Sequence, residues 1–281
     1  MEDNMANIAK TNNLVFKSQR IGRFNYIGLY TLCSKEVRRF MKVWQQTTAA
    51  PAMTTLLFML IFTLALRGRG EMIAGMSYAT FLAPGLMVMS ILQNAFANTS
   101  SSLIIAKVQG NIVDTLMPPL SEAELTIGFA IGGMVRGIVV GASVCISFII
   151  LGFFTDLTIS IHAIGYILYF GIIGSLLLSL MGLLTGIWAE KFDHSATITN
   201  FIVVPLSLLS GTFYTLDRLP EAWQNISIIN PFFYIIDGFR YGFLGTADSN
   251  LTIGILYTFI LTSLMAIIVL KVFKSGYRLK T

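Results

Sequence analysis

Side chains that could carry out chemistry are few in this sequence and lie far apart along the chain. The two histidines, His162 and His194, have no cysteine or carboxylate cluster near them at the spacing of a metal site, so we expect no bound metal. No Gly-Lys dipeptide occurs, which excludes the phosphate-binding loop of an ATPase. No Gly-x-Ser-x-Gly element or pair of acids within an apolar segment supports hydrolysis or proton transfer. The sequence therefore predicts a chain that is not an enzyme by itself and that binds no cofactor.

Arg136 is unusual because it lies in the apolar sequence IGGMVRGIVVG. An unpaired cation in the hydrocarbon of a membrane costs at least about 2.5 kcal/mol, so its side chain is expected to face protein, water or a lipid phosphate. Two roles stay open for it. It could contact an anionic substrate headgroup, which makes it a candidate for the substrate path, or it could donate hydrogen bonds to backbone carbonyls.

The composition is that of an integral membrane protein. Of 281 residues, 55% are hydrophobic and 12% are charged, whereas a soluble domain has roughly a quarter of its residues charged. The net charge is +5, but the basic residues lie mostly in the two tails beside apolar segments, so membrane topology explains them better than a nucleic-acid partner. We expect membrane lipid, and no nucleic acid, to surround the chain.

Six apolar segments are each long enough to cross a bilayer, which takes about 20 residues. They are residues 47–66, 78–97, 125–153, 159–189, 197–216 and 251–271. If these six segments cross the membrane, fourteen Lys and Arg residues lie on the side of the two termini and four lie on the opposite side. The excess marks the cytoplasmic side, which predicts that both termini are cytoplasmic.

The N-terminal part divides into a tail and a helix. Residues 1–25 are polar and basic, and we expect them to form a disordered cytoplasmic tail. Residues 276–281 are expected to form a second cytoplasmic tail. Residues 26–46 alternate apolar and basic side chains at helical spacing, which predicts an amphipathic helix in the headgroup plane. The alternative is a cytoplasmic extension of the first crossing.

Two stretches between the apolar segments are candidates for function. Residues 98–124 contain an apolar stripe that could line one side of a short helix. This stripe could contact a partner protein, or it could pack on this chain alone. Residues 211–241 are aromatic and apolar but contain Pro220 and Pro231, which predicts two short amphipathic helices separated near Asn230-Pro231 at or within the external membrane face. The alternative is an ordinary interfacial loop. Asp237 and Arg240 are three residues apart and are expected to pair.

Glycines spaced by about four residues lie on the third and fourth apolar segments and predict close helix packing. They are Gly128, Gly132, Gly133, Gly137 and Gly141, and then Gly182 and Gly186.

Several sequences together resemble the ABC-2 type permeases, the membrane subunits of ATP-driven exporters, and within them the YadH-like branch. They are FMKVWQQTTAAPAMTTLLFMLIF, FLAPGLMVMSILQNAFAN, LSGTFYTLDRLPEAWQ and INPFFYIIDGFRYGFLG. The resemblance implies an all-α integral membrane protein over residues 26–275, with six transmembrane helices, an N-terminal amphipathic interfacial helix and an external re-entrant helical hairpin at 211–241.

The resemblance also implies partners and roles. Two copies of the chain would form a homodimer with two copies of a separate ABC ATPase subunit, which would hold ATP and Mg. The loop 98–124 would dock into the ATPase and couple the subunits through Leu103, Ile104, Val108, Ile112, Val113, Asp114, Leu116 and Met117. An external gate would comprise Phe213, Tyr214, Trp223, Phe232, Phe233, Asp237 and Arg240.

The sequence thus favours a permease subunit in the bacterial plasma (inner) membrane, which moves an amphipathic drug, lipid or lipid-linked saccharide outward. Two alternatives stay open. A secondary transporter or channel would need inverted repeats or broken helices with ion ligands, and the sequence shows neither. A membrane assembly factor without transport activity would differ from a permease in an export assay.

Overall fold

The computed structural model describes residues 24–65, 76–155 and 157–278, and the regular structure in these ranges is helical. The disordered tail predicted before residue 24, the end of the first apolar segment at residue 66 and the last three residues of the chain lie outside the described residues. The helices are α1 (Tyr26–Met41), α2 (Ala50–Ala65), α3 (Tyr78–Val108), α4 (Ile112–Leu116), α5 (Glu122–Gly152), α6 (Ile164–Trp188), α7 (Phe192–Ile198), α8 (Val204–Leu208), α9 (Glu221–Ile229), α10 (Pro231–Leu244) and α11 (Leu251–Ser275).

Five helical stretches in the described ranges are long and apolar enough to cross a membrane. They are Gln45–Leu64, Tyr78–Val108, Glu122–Gly152, Ile164–Trp188 and Leu251–Ser275. The first includes a π-helical turn at Gln45–Ala49 that leads into α2. They correspond to five of the six predicted segments, and so the all-helical membrane class is confirmed.

Helix α3 is longer than predicted. It does not end at residue 97 but continues to Val108, so that Asn98–Val108 is helix rather than loop. The hydroxyls of Thr99, Ser100 and Ser101 donate to carbonyls one turn earlier in the same helix, which lets this polar run stay helical. With 31 residues each, α3 and α5 are about 46 Å long, whereas the hydrocarbon core is about 30 Å thick. Both helices are therefore longer than the hydrocarbon core is thick.

The predicted segment 197–216 also differs. Its helical run spans Phe192 to Leu208, with a π-helical stretch at Thr199–Val203 between α7 and α8. The run ends at Leu208 rather than at residue 216, because the chain turns at Gly211, whose φ of 72° is left-handed, and continues without helix to Thr215.

Helix α3 forms the centre of the molecule and packs against α2, α5, α6 and α10. The glycines allow these contacts, as predicted. A Cβ on Gly137 would lie 2.9 Å from the carbonyl oxygen of Ile91, and one on Gly182 would lie 2.5 Å from that of Phe96. Both distances are shorter than a side chain tolerates, so the α3–α5 and α3–α6 contacts depend on these glycines.

Helix α1 packs lengthwise on α5. Leu32 lies against Gly128 and Glu36 against Gly132, while the backbone N–H of Asn25, before α1, donates to the Glu124 carboxylate near the start of α5. The basic residues predicted on the outer face of α1 do not all face outward. Arg39 turns inward, because Asn98 and Glu36 provide acceptors there.

Candidate functional site

Helices α9 and α10, which we call the hairpin, are separated at Asn230, where the sequence predicts the break. The Asn230 side chain accepts from the N–H of Phe232 at 3.0 Å and donates to the Leu206 carbonyl at 2.9 Å and to Ser210 Oγ at 2.8 Å. It therefore caps α10, whose first residue is Pro231, and ties the turn of the hairpin to the end of α8.

Four carbonyls of the non-helical segment 209–215 accept hydrogen bonds from side chains of the hairpin and of α3. Ser227 Oγ donates to the Leu209 carbonyl at 3.2 Å, and the Arg240 guanidinium donates to the carbonyls of Gly211 and Thr212. The Tyr78 hydroxyl donates to the Phe213 carbonyl at 3.0 Å. Backbone outside a helix can lie at membrane depth only if protein or water satisfies it, and here protein does so.

Asp237 and Arg240 do not pair with each other, in contrast to the prediction. Both are buried, with 1% and 2% of their surface exposed, but their described side chains point to different partners. Asp237 accepts from the N–H groups of Asp248 and Ser249, each at 2.9 Å, and from Ser249 Oγ at 2.6 Å. The guanidinium carbon of Arg240 lies 4.0 Å from the centre of the Phe81 ring. On a helix buried on several sides, tertiary partners of this kind replace the i, i+3 pair.

The aromatic residues predicted for an external gate do not share one surface. Phe232 and Phe233 are buried in the core of the chain itself, and Phe213 and Tyr214 are partly buried. Trp223, on α9, is about half exposed, as are its neighbours Ile226 and Ile228. Phe232 lies in the core cluster and the Phe233 ring lies near Gly211, so both side chains are enclosed by this chain's own residues.

An apolar cavity of about 400 Å³ lies next to the hairpin, between α3, α5, α6 and α10. The side chains along it include Ile91, Ile138, Cys145, Leu168 and Phe239. Its lining is almost entirely apolar, which suits an acyl chain or another hydrophobic group rather than a polar ligand.

A polar cluster lies beside the first half of α5, next to the cavity along that helix, and the sequence did not point to most of it. Glu36 is fully buried; its Oε1 accepts from Ser102 Oγ at 2.7 Å and its Oε2 from Arg39 Nη2 at 3.1 Å. The same Arg39 nitrogen donates to the carbonyl and the side-chain oxygen of Asn98 at 2.8 and 3.0 Å. The only clue in the sequence is that Glu36 interrupts the basic face of α1.

Arg136 belongs to this cluster. Its Nη2 donates to Asn94 Oδ1 at 3.1 Å, and Asn94 lies one helical turn before Asn98 on α3. The side chain therefore faces protein, as predicted, although its acceptor is a neutral amide and not a backbone carbonyl. We call Glu36, Arg39, Asn94, Asn98, Ser102 and Arg136 the polar cluster.

The residues predicted for coupling divide into two groups. Leu103, Ile104 and Ile112 are buried within the chain, and Leu103 and Ile112 belong to a core cluster with residues of α5 and α6. Leu116 is partly buried. Val108, Val113 and Met117 are 60%, 53% and 75% exposed, and Asp114 is exposed beside them. We call these last four residues the coupling surface.

Two lysines connect the helices around the coupling surface. Lys35 Nζ, on α1, donates to Thr115 Oγ1 of α4 at 3.1 Å, and Lys107 Nζ, at the end of α3, donates to the carbonyls of Ile187 and Ala189 at the end of α6. Both cations are thus bound to the chain's own atoms and are not directed at a partner. They connect the coupling surface to α1, α3 and α6.

Comparison with known proteins agrees with this architecture. Residues 28–244 match the family described as ABC-2 type transporter. The chain is 38% identical over 238 residues to the inner membrane transport permease YadH of Escherichia coli strain K12, which covers 84% of this chain and 91% of the relative. It is 26% identical over 231 residues to nodulation protein J of Rhizobium leguminosarum bv. viciae, covering 79% of this chain and 87% of that protein. The match to the family extends over most of the chain, and the chain belongs to the ABC-2 type transporter family.

Proposed function

We propose that this chain is the membrane subunit of an ATP-driven exporter in a bacterial inner membrane. Two copies would assemble with two copies of a separate ABC ATPase subunit, which supplies ATP hydrolysis and its Mg. Membership of the family and the relative named as an inner membrane transport permease support a transport role. The substrate would be amphipathic and would move outward, since an apolar cavity and a cationic polar cluster occur along the same set of helices.

The proposed topology has six crossings with both termini in the cytoplasm. Five are the long apolar helices, and the sixth is the helical run from Phe192 to Leu208 continued by the non-helical segment 209–215. The hairpin α9–α10 would then enter the membrane from the external face and return, with α1 at the cytoplasmic interface. This topology is supported by the hydrogen bonds from hairpin side chains to the carbonyls of segment 209–215, because non-helical backbone within a membrane needs such partners.

The observation that carries the proposal is the coupling surface. Three apolar side chains are exposed at the end of α3 and on or just after α4, on the cytoplasmic side under the proposed topology. A contiguous apolar patch outside the membrane is typical of a protein contact. Because Lys35 and Lys107 connect this region to α1 and α6, a partner that displaces α4 would also displace the helices around the polar cluster.

This proposal is tested by co-purification. We expect Val113→Asp and Met117→Asp each to abolish co-purification of the chain with its ABC ATPase subunit, because each buries a carboxylate in an apolar contact. Membrane insertion should persist, since both side chains are exposed. The matched control is Asn111→Asp, which adds the same charge just before α4 at an exposed position without removing apolar surface.

The results distinguish the alternatives. Undiminished co-purification of both variants would reject the coupling surface. If the ATPase binds but transport into inverted vesicles of a fluorescent amphipathic dye and of a lipid-linked saccharide does not depend on ATP, the chain is an assembly factor. Transport that continues without the ATPase would indicate a secondary transporter.

The homodimer and the external gate have their own test. Trp223 is exposed on α9, whereas Phe233 is buried, so Trp223→Cys should cross-link between copies at rest and Phe233→Cys should not, each in a background without Cys33 and Cys145. ATP turnover should lower the cross-linking at position 223. Cross-linking that is absent, or that ignores ATP, would leave α9 as a membrane anchor only.

A further inference from the structure

The polar cluster lies near the cytoplasmic edge of the hydrocarbon under the proposed topology. Arg136 is about 24 Å from the end of α5 at Gly152, at 1.5 Å per residue, and the hydrocarbon is about 30 Å thick. Glu36 packs against Gly132, one turn closer to the cytoplasm. With Gly152 at the external edge of the hydrocarbon, Arg136 would lie about 6 Å from the cytoplasmic edge and Glu36 closer still, within reach of the lipid phosphates of the inner leaflet.

The cluster has more positive than negative charge. It contains two arginines and one carboxylate, and both oxygens of that carboxylate are already bound by Ser102 and Arg39. Arg136 receives only a neutral acceptor from Asn94, and the two guanidinium groups are close enough to repel each other. One positive charge in a partly desolvated place is thus left without a counter-charge among the residues that the structure describes.

Three hydrogen-bond donors of the cluster are buried without a partner in the described part of the chain. They are Nε of Arg39, Nε of Arg136 and Nδ2 of Asn98. Asn98 is completely buried, and its Oδ1 is held by Arg39, so its amide cannot turn to gain an acceptor without losing one. An unsatisfied buried donor costs about 1–3 kcal/mol, so three of them beside an unbalanced cation mark a place suited to an anionic acceptor.

We propose that Arg39, Asn98 and Arg136 form a binding site for a phosphoryl group at the inner-leaflet boundary. A phosphate offers several acceptor oxygens and one or two negative charges, which matches the donors and the excess charge, and arginine binds phosphate well because its donors are fixed in a plane. The site rests on these side chains alone. Its role as the place where a substrate headgroup first binds rests on the proposed export function.

The site is tested with the full chain in nanodiscs of phosphatidylcholine that contain increasing amounts of phosphatidic acid. Bound phosphatidic acid is counted by native mass spectrometry, and inorganic phosphate is titrated separately. We expect Arg136→Gln to weaken binding about tenfold or more, the change that corresponds to 1.4 kcal/mol. Arg136→Lys should retain part of it. The matched control is Arg38→Gln on the exposed side of α1, which should change binding less than about twofold.

Each outcome has a meaning. Selective binding of phosphatidic acid assigns the site to a lipid-linked phosphate, and equal binding of inorganic phosphate assigns it to the free anion; both support a phosphoryl site. If Arg136→Gln binds like the unaltered chain, or if Arg38→Gln loses as much, the site does not exist. Size-exclusion chromatography identifies a variant that fails to fold, and Asn98→Asp then provides a second test, since its carboxylate should repel phosphate. If the chain does not co-purify with an ATPase but still binds phosphatidic acid, the proposed export function is rejected and the phosphoryl site is retained.

Discussion

Replacing Gly182 by alanine tests the packing of α3 against α6. The added Cβ would lie 2.5 Å from the Phe96 carbonyl oxygen and would also overlap Thr99 Oγ1. Neither neighbour can move easily, because the carbonyl belongs to the α3 backbone and Thr99 Oγ1 donates across the interface to the Ser179 carbonyl at 2.8 Å. The two helices must separate, and the hydrogen bond between them must lengthen.

The expected loss of stability follows from these contacts. Overpacking of a well-filled interface costs about 1–3 kcal/mol. Loss of an interhelical hydrogen bond in a membrane protein adds roughly 0.6 kcal/mol, and the better helix propensity of alanine returns about 0.5–1 kcal/mol. The net destabilisation is about 1–3 kcal/mol, which at roughly 2–4 °C per kcal/mol lowers the unfolding temperature by about 2–12 °C.

The measurement is the thermal unfolding of the detergent-purified chain, followed by the monodisperse fraction on size-exclusion chromatography. Gly165→Ala is the matched control, since Gly165 lies on the same helix and a Cβ there meets nothing within 4 Å. We expect that control to unfold at the temperature of the unaltered chain or slightly above it. If both variants unfold at the same temperature, α3 and α6 are not in the close contact described above.

Three further predictions concern single side chains. Asp237→Asn should lower the free energy of unfolding by about 1–3 kcal/mol, because an amide leaves one of the donors on Asp248 or Ser249 unpaired. The loop after α10 should then become more sensitive to protease. The control is Asp217→Asn at an exposed position, and equal cleavage of both variants would contradict the role of Asp237 in holding the loop. Asn230→Ala should destabilise the chain by about 1–3 kcal/mol, whereas Asn225→Ala on exposed α9 should not, as measured by thermal unfolding. Burial raises the pKa of the Cys33 thiol. In a Cys145→Ser background, the rate of its alkylation by iodoacetamide should therefore rise with pH at a midpoint above that of free cysteine. A midpoint at or below the free value would contradict the burial of Cys33 against α5.

The sequence was sufficient for the features that depend on composition and local spacing. Apolar length indicated five helices that are long and apolar enough to cross a membrane, and the steps between glycines indicated the close packing that Gly137 and Gly182 allow. Pro231 after Asn230 indicated the break in the hairpin, because proline removes a backbone donor whatever the tertiary structure. These signals act within one or two helical turns.

The sequence failed where long-range partners decide. Residues 209–216 are as apolar as the helix before them, but the helix ends at Leu208 because distant donors such as Arg240 take the carbonyls that follow. The sequence does not indicate a role for Glu36, because its role as a hydrogen-bond acceptor depends on Ser102, a residue on another helix. Asp237 and Arg240 had ideal spacing for a pair, but spacing alone cannot indicate that both are buried beside stronger partners.

The way the hairpin binds segment 209–215 has a consequence for biosynthesis. The ribosome produces this segment before Ser227, Asn230 and Arg240, which supply the donors for the carbonyls between Leu206 and Thr212. At about 5–20 residues per second, the donors follow seconds later, and until then bare carbonyls in hydrocarbon would cost several kcal/mol each. Under the proposed six-crossing topology, the nascent segment would therefore wait in the translocation channel or at the water interface and enter the bilayer together with the hairpin. A chain truncated before Arg240 would then lose the proposed fifth crossing during insertion, although the residues of that crossing are all present.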